Sequence, residues 1–160
     1  MSANPDGMKM HLDYWLYGIV KTTSQLGNAG LFLRAAQEAS IRKFLQEEHL
    51  AFRDAKKPIR ILETYNQGLG QRGFLNADDI WYREAPEGLQ VSIGESCPYR
   101  GTCNWINDEG GTVACFRAIA MGEVLRLVTQ RSYEGALRSF GVPCQLTFKN
   151  HKLEAAKDGD

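Results

Sequence analysis

The stretch IWYREAPEGLQVSI, from Ile80 to Ile93, decides the fold, because the spacing of apolar residues changes there from helical to alternating. Its first four residues are rich in strand formers, and the Pro-Glu-Gly sequence at 86–88 is typical of a turn. Leu89, Val91 and Ile93 then alternate with polar or small residues, as in a strand with one buried face. The stretch therefore predicts two antiparallel strands joined by a hairpin.

Helical spacing characterises the chain before this hairpin. Apolar residues recur every three or four positions from Leu12 towards Gly27, from Leu31 to Phe52, and from Pro58 to the glycines at 68, 70 and 73. Pro58 is well placed as the first residue of its helix. The middle pattern fits one long helix or two.

After the hairpin we expect a loop, a helix and two more strands. The loop is predicted over 98–111 from its glycines, asparagines and Asp108, and the helix over 113–128 from its apolar spacing. Strands are predicted at 133–137 and 144–148, with a Gly-Val-Pro turn between them. Helices that precede late strands define an α+β fold, with N-terminal helices packed on an antiparallel sheet and a further helix between the middle and last strands.

Length and charge limit the function classes. The 160 residues suit one domain, which we place at 11–150 with flexible ends at 1–10 and 151–160. The 19 basic and 19 acidic side chains cancel, and no basic run is longer than Lys56-Lys57, so we expect neither a nucleic-acid partner nor a membrane partner. The N-terminus lacks the features of a signal peptide, which predicts a cytoplasmic protein.

Four cysteines and a glutamate are the candidate metal ligands. Alternation continued beyond Ile93 predicts that Glu95 and Cys97 lie on the buried side of the strand, which Cys144 of the last strand also faces. Cys115 begins the predicted helix, and Cys103 lies in the predicted loop. Zinc takes four such ligands, although the spacing is not that of a zinc ribbon or knuckle. Buried structural thiols, an iron–sulfur cluster and a redox pair remain as alternatives.

Three motifs in the C-terminal half resemble the vinyl-4-reductase domain family. They are VSIGESCPY from Val91, GTVACFRAIAMGEVL from Gly111 and GVPCQLTF from Gly141, and the resemblance extends from about Pro58 to Phe148. Members of that family are described as small-molecule-binding domains. In phenol-responsive activators the domain binds an aromatic effector beside a zinc ion held by an acidic residue and cysteines.

The resemblance implies ligand roles for particular residues of this chain. Cys115 would be the ligand that opens the helix, Cys144 the ligand from the last strand, and Glu95 or Cys97 the ligand from the earlier strand. The family keeps a further cysteine several residues before the last one, and the stretch 133–140 has none here. Cys103 is the candidate replacement.

The leading hypothesis is a domain that binds a small apolar or aromatic ligand between its helices and sheet, with zinc on the cysteines at the far side. Aromatic side chains line such concave sites, and they also fill ordinary cores. The candidate ligand-binding residues are Trp15, Phe32, Tyr65, Phe74, Trp81 and Phe116, with Phe140 as a further aromatic residue.

Two other functions stay open. The closing strand is also similar to that of the thiazoline-carboxylate hydrolase-like proteins, which keeps an enzyme possible, with Cys97 or Cys103 as nucleophile or with metal-activated water. The three histidines, His11, His49 and His151, lie far in sequence from the candidate nucleophiles Cys97 and Cys103, so we favour a binding domain over an enzyme. The dense apolar residues of the first helix favour a homodimeric interaction module as the third hypothesis. The sequence GLGQRG resembles a dinucleotide fingerprint, but it ends a helix and does not follow a strand.

Overall fold

A computed structural model describes residues 14–22 and 29–151, and within these ranges the chain forms five α-helices and a four-stranded sheet. Helix α1 covers 14–22, and a short 3₁₀ turn, Ala77–Asp79, precedes the first strand. The remaining elements are α2 (Ala29–Glu48), α3 (Pro58–Gln71), β1 (Ile80–Ala85), β2 (Gly88–Ile93), α4 (Arg100–Asp108), α5 (Phe116–Thr129), β3 (Ser132–Ser139) and β4 (Cys144–His151). The predicted α+β class is confirmed.

The predicted hairpin forms the start of the sheet. The strand order is β1-β2-β4-β3, and every neighbouring pair is antiparallel. Gly88 follows the turn with φ +129°, and a Cβ there would lie 2.3 Å from the carbonyl oxygen of Phe148, so the position requires glycine. Ile93, the last residue of β2, pairs with Cys144, the first residue of β4. The sheet therefore places Cys144 beside the point where β2 ends.

One face of the sheet is covered by helices. Helix α5 contacts β3 and β4, and α2 and α3 pack against α5. Met121, Val124 and Leu125 of α5 are fully buried between these layers. A fully buried aliphatic side chain contributes about 1.5–3 kcal/mol, so this helix is a principal source of stability. Leu89, Val91 and Ile93 of β2 are buried in the same core, as the alternation predicted.

The sequence misjudged the segment between β2 and α5. Residues 98–111 were expected to form a loop, but Arg100–Asp108 is helix α4. Its glycine and asparagines favour a loop by propensity, whereas Cys103 and Ile106 are buried at helical spacing and Asn104, Asn107 and Asp108 are exposed. Burial of one face overrode weak local propensity here. The long pattern before residue 52 forms a single helix, α2.

The ends of the domain are only partly described. Residues 14–22 confirm part of the predicted first helix, while its predicted start at Leu12, its end at Gly27 and the predicted tails 1–10 and 152–160 lie outside the described residues. Residue 151, predicted to begin the C-terminal tail, is the last residue of β4. No helix within the described ranges is long and apolar enough to cross a membrane.

Candidate metal centre

All four cysteines line one small cavity at the end of the sheet. The cavity has a volume of about 10 Å³, which is close to the space occupied by one water molecule. Four separate segments bring the thiols together: the turn after β2, helix α4, the start of α5 and the start of β4. The other lining residues are Ile93, Tyr99, Arg100, Val113, Phe116, Arg117, Leu137 and Phe140.

A turn fixed by Asp79 carries Cys97 to the cavity. The backbone N–H of Gly94 donates to the Asp79 carbonyl oxygen at 2.9 Å, and the N–H of Ser96 donates to its carboxylate at 2.7 Å. A Cβ on Gly94 would lie 1.9 Å from that carboxylate, so only glycine fits this position without a shift. The chain thus leaves the sheet after Ile93 and returns to the cavity at Cys97.

Helix α5 presents Cys115 at its N-terminus. Cys115 is the N-cap residue, and its Sγ accepts the backbone N–H of Ala118 at 3.4 Å. The positive end of a helix dipole favours negative charge at such a position. Cys103 approaches from α4, where it is buried, and Cys144 approaches from β4, where its thiol donates to the Gly141 carbonyl at 3.2 Å.

The thiols are close enough to affect one another's ionisation. Burial raises the pKa of Cys103 to about 12, and the neighbouring Cys115, Cys97 and Cys144 raise it further. Burial likewise raises the pKa of Cys115 to about 11 and raises that of Cys97, and in both cases nearby cysteines add to the rise. Every pair among the four cysteines interacts in this way. These three thiols are therefore neutral near pH 7 without a cation, which does not suit a nucleophile.

Two arginines supply positive charge at the cavity wall. Arg117 is 1% exposed, donates to the side-chain oxygen of Asn66, and places its guanidinium carbon 5.6 Å from the centre of the Tyr65 ring. Arg100 donates to the carbonyl oxygens of Gly94 and Gly141. Among the described residues, neither arginine forms an ion pair with a carboxylate, and the buried Nε of each has no hydrogen-bond partner.

Glu95 does not join the cysteines. Strand β2 ends at Ile93, so the alternation of side chains does not continue to Glu95, which is exposed in the following turn. The expectation that Glu95 shares the buried side with Cys97 was wrong for this reason. The expectation that Cys103 lies in a loop was also wrong, because α4 holds it.

The four cysteine side chains do not stand in the arrangement that a bound metal ion needs. As they stand, the described residues contain no group of three or more His, Cys, Asp or Glu side chains that could hold a metal ion. The thiols surround the cavity, and closer approach would require them to turn. Each cysteine side chain has one rotatable bond that moves Sγ among three staggered positions without moving the backbone.

The six aromatic residues predicted to bind a ligand divide into two groups. Tyr65, Phe74 and Phe116 lie in the interior, where the Tyr99 ring stands 5.8 Å from Phe74 and 5.0 Å from Phe116. Phe140 lines the cavity itself. By contrast, three residues are exposed on α1, α2 and the outer face of the sheet: Trp15 (59%), Phe32 (49%) and Trp81 (54%). The interior group adjoins the cysteine cavity, and the exposed group does not.

Sequence reasoning missed Tyr99, Arg100 and Arg117 as parts of this site. Arg117 did offer a detectable signal, because it stands alone as a charge in the apolar run FRAIAM at the start of α5. Charged residues are rarely fully buried unless they are paired, so such an arginine indicates a nearby partner.

Comparison with known proteins gives no match: no family model, no curated protein and no solved structure matches the chain. The resemblance to the vinyl-4-reductase family therefore rests on the sequence motifs alone.

Proposed function

We propose that the chain is a small α+β ligand-binding domain organised by a zinc centre, with Cys97, Cys103, Cys115 and Cys144 as the ligands. The observation that carries this proposal is the convergence of all four cysteines, from four separate segments, on one cavity of atomic size. Four thiolates in tetrahedral array are a common donor set for structural zinc.

The chemistry of the cavity fits a divalent cation. Zinc binds thiolates, so a zinc ion bound here would hold the four cysteines in their deprotonated form. The charge balance is two positive charges and four negative ones, which leaves a centre of net charge −2. The positive wall formed by Arg100 and Arg117 favours that charge.

Zinc would act here as a cross-link between distant parts of the chain. It would join the turn after β2 and helix α4 to the start of α5 and the start of β4. Binding energy at such a centre is also folding energy, because the unfolded chain has no preformed site. Four protein ligands leave no open position for a reacting molecule, which supports a structural role over a catalytic one.

The ligand of the domain is proposed to be a small apolar or aromatic molecule beside this centre. Support comes from the family resemblance and from the interior rings of Tyr65, Phe74, Tyr99 and Phe116, which lie beside the cavity. The cavity of about 10 Å³ is far too small for an aromatic ring. Ligand entry would therefore require Tyr99 and Phe116 to move apart.

Cobalt titration followed by ligand addition tests both parts of the proposal. We expect one Co²⁺ per chain, with the intense ultraviolet charge-transfer bands of cobalt bound to thiolates. Phenolic and other small aromatic compounds should then raise the melting temperature of the metal-loaded protein. Absence of charge-transfer bands would contradict the metal centre, and absence of any thermal shift across the compounds would contradict the ligand.

Exposed apolar side chains on α1 and α2 favour a homodimer as a second feature. Leu31 is 74% exposed and Phe32 is 49% exposed, at the start of α2. Sedimentation of the wild type, Leu31→Lys and the control Ser40→Lys tests this, since Ser40 is an exposed polar residue on the same helix. We expect only Leu31→Lys to shift the protein to monomer, and a monomeric wild type would refute the pairing.

A further inference from the structure

Arg117 is the least expected residue of the cavity wall. Arg117 is a cationic side chain that is only 1% exposed. Its contacts are with neutral groups, namely the Asn66 side-chain oxygen and the Tyr65 ring. A buried charge without an opposite charge is strongly unfavourable, so this position calls for an anionic partner.

A second arginine of the cavity wall has similar contacts. Arg100, at the start of α4, lines the same space, and within the described residues its side chain donates to the backbone carbonyls of Gly94 and Gly141. Each arginine also has a buried Nε–H that lacks an acceptor within the described part of the chain. The cavity therefore has two cationic side chains with spare donors, and all four thiols line the same space.

We infer that Arg117 and Arg100 are the counter-charges of the metal centre and that the cavity is built for a centre of net charge −2. This inference rests on the proposed function. A divalent ion with four thiolates contributes two negative charges in total, and the two guanidinium groups contribute two positive ones, so the site as a whole becomes neutral.

The neutral partners of Arg117 hold it in place. Asn66 is 0% exposed, accepts from Arg117 and donates to the Tyr82 hydroxyl at 2.6 Å. Arg117 is thus fixed at the cavity wall with or without a metal, which lowers the cost of ordering it when the ion binds. Its role is positional and electrostatic, because it does not itself coordinate the ion.

Zinc affinity of a set of arginine variants tests this inference. Arg117→Met removes the charge and keeps much of the side-chain length, whereas Arg117→Lys keeps the charge. Arg126→Met is the matched control, because Arg126 lies on the same helix and pairs with Glu38 and Glu123 away from the cavity. Competition with a chromophoric chelator gives each dissociation constant, and the cobalt charge-transfer spectrum reports the ligand set.

We expect Arg117→Met to weaken zinc binding about 10- to 100-fold, as substitutions around metal ligands commonly do. Arg117→Lys should recover part of this loss, Arg126→Met should bind like the wild type, and all variants should keep the four-thiolate cobalt spectrum. If Arg117→Met does not fold, Arg100→Met gives the same comparison at a less buried side chain.

The outcomes distinguish the counter-charge role of the arginines from the zinc centre itself. If the wild type binds zinc through four thiolates and both arginine-to-methionine variants bind it equally well, the counter-charge role is overturned and the zinc centre stands. If the wild type binds no metal, the zinc centre fails and the counter-charge role fails with it.

Discussion

Replacement of Cys103 by alanine separates a metal ligand from an ordinary buried thiol. Cys103 is 7% exposed in the middle of α4. In the metal-free protein the substitution removes only one sulfur atom, and alanine is the better helix former, so the cost should be about 1 kcal/mol or less. If Cys103 is one of four zinc ligands, its loss has a much larger effect in the presence of zinc.

The magnitude follows from binding linkage. Free zinc at about 1,000 times the dissociation constant stabilises the wild type by about 4 kcal/mol. For a chain of this size that corresponds to a rise in melting temperature of about 8–16 °C, at about 2–4 °C per kcal/mol. A variant with a site about 1,000-fold weaker would retain only about 0.4 kcal/mol at the same free zinc. Calorimetry in zinc buffers with and without metal measures both values.

Ile106→Val is the matched control for this experiment. Ile106 is buried to the same degree on the same helix but does not line the cysteine cavity. Its substitution should cost about 0.5–1.5 kcal/mol and leave the zinc-dependent rise intact. A Cys103→Ala variant that keeps the full zinc-dependent rise of the wild type would refute the role of Cys103 as a ligand.

Three further predictions concern the surroundings of the site. Gly94→Ala should cost about 1–3 kcal/mol and weaken zinc binding, because its Cβ collides with the Asp79 carboxylate that fixes the turn to Cys97. Gly70→Ala, where a Cβ meets only ordinary contacts, should do neither in the same urea unfolding and chelator assays. Asn66→Ala should lower the free energy of unfolding by about 2–4 kcal/mol, because it removes one hydrogen bond to the Arg117 guanidinium and one to the Tyr82 hydroxyl. A loss below about 1 kcal/mol in urea unfolding would contradict this prediction. Burial raises the pKa of Tyr82 and of Tyr99 to about 12, above an unfolded value near 10. The free energy of unfolding should therefore fall by about 1.4 kcal/mol per pH unit for each tyrosine between about pH 10 and 12. A constant free energy of unfolding between about pH 9 and 11 would contradict this prediction.

The fold was predictable wherever a local pattern was strong. The hairpin of Ile80–Ile93 combines strand formers, a turn and strict alternation, and the structure confirms it. Helix α4 was missed because its composition resembles a loop and its helicity depends on burial of Cys103 and Ile106 against the rest of the domain. Sequence propensity does not contain that tertiary contribution.

The site was predictable in part for the same reason. Alternation was enough to place Cys144 on the buried side of the last strand, and helix periodicity put Cys115 at the start of α5. Glu95 was misplaced because the backbone turns at Gly94 towards Asp79, a contact between residues far apart in sequence. The position of Arg100 at the cavity wall depends on tertiary packing too, whereas Arg117 could have been noticed as the lone charge in an apolar run.

X-ray absorption at the zinc edge tests the central claim most directly. Protein prepared anaerobically and loaded with zinc should hold one ion per chain in a shell of four sulfur atoms at about 2.3 Å. A chain that retains no zinc, or a shell with fewer than four sulfur atoms completed by oxygen or nitrogen, would contradict the four-cysteine centre.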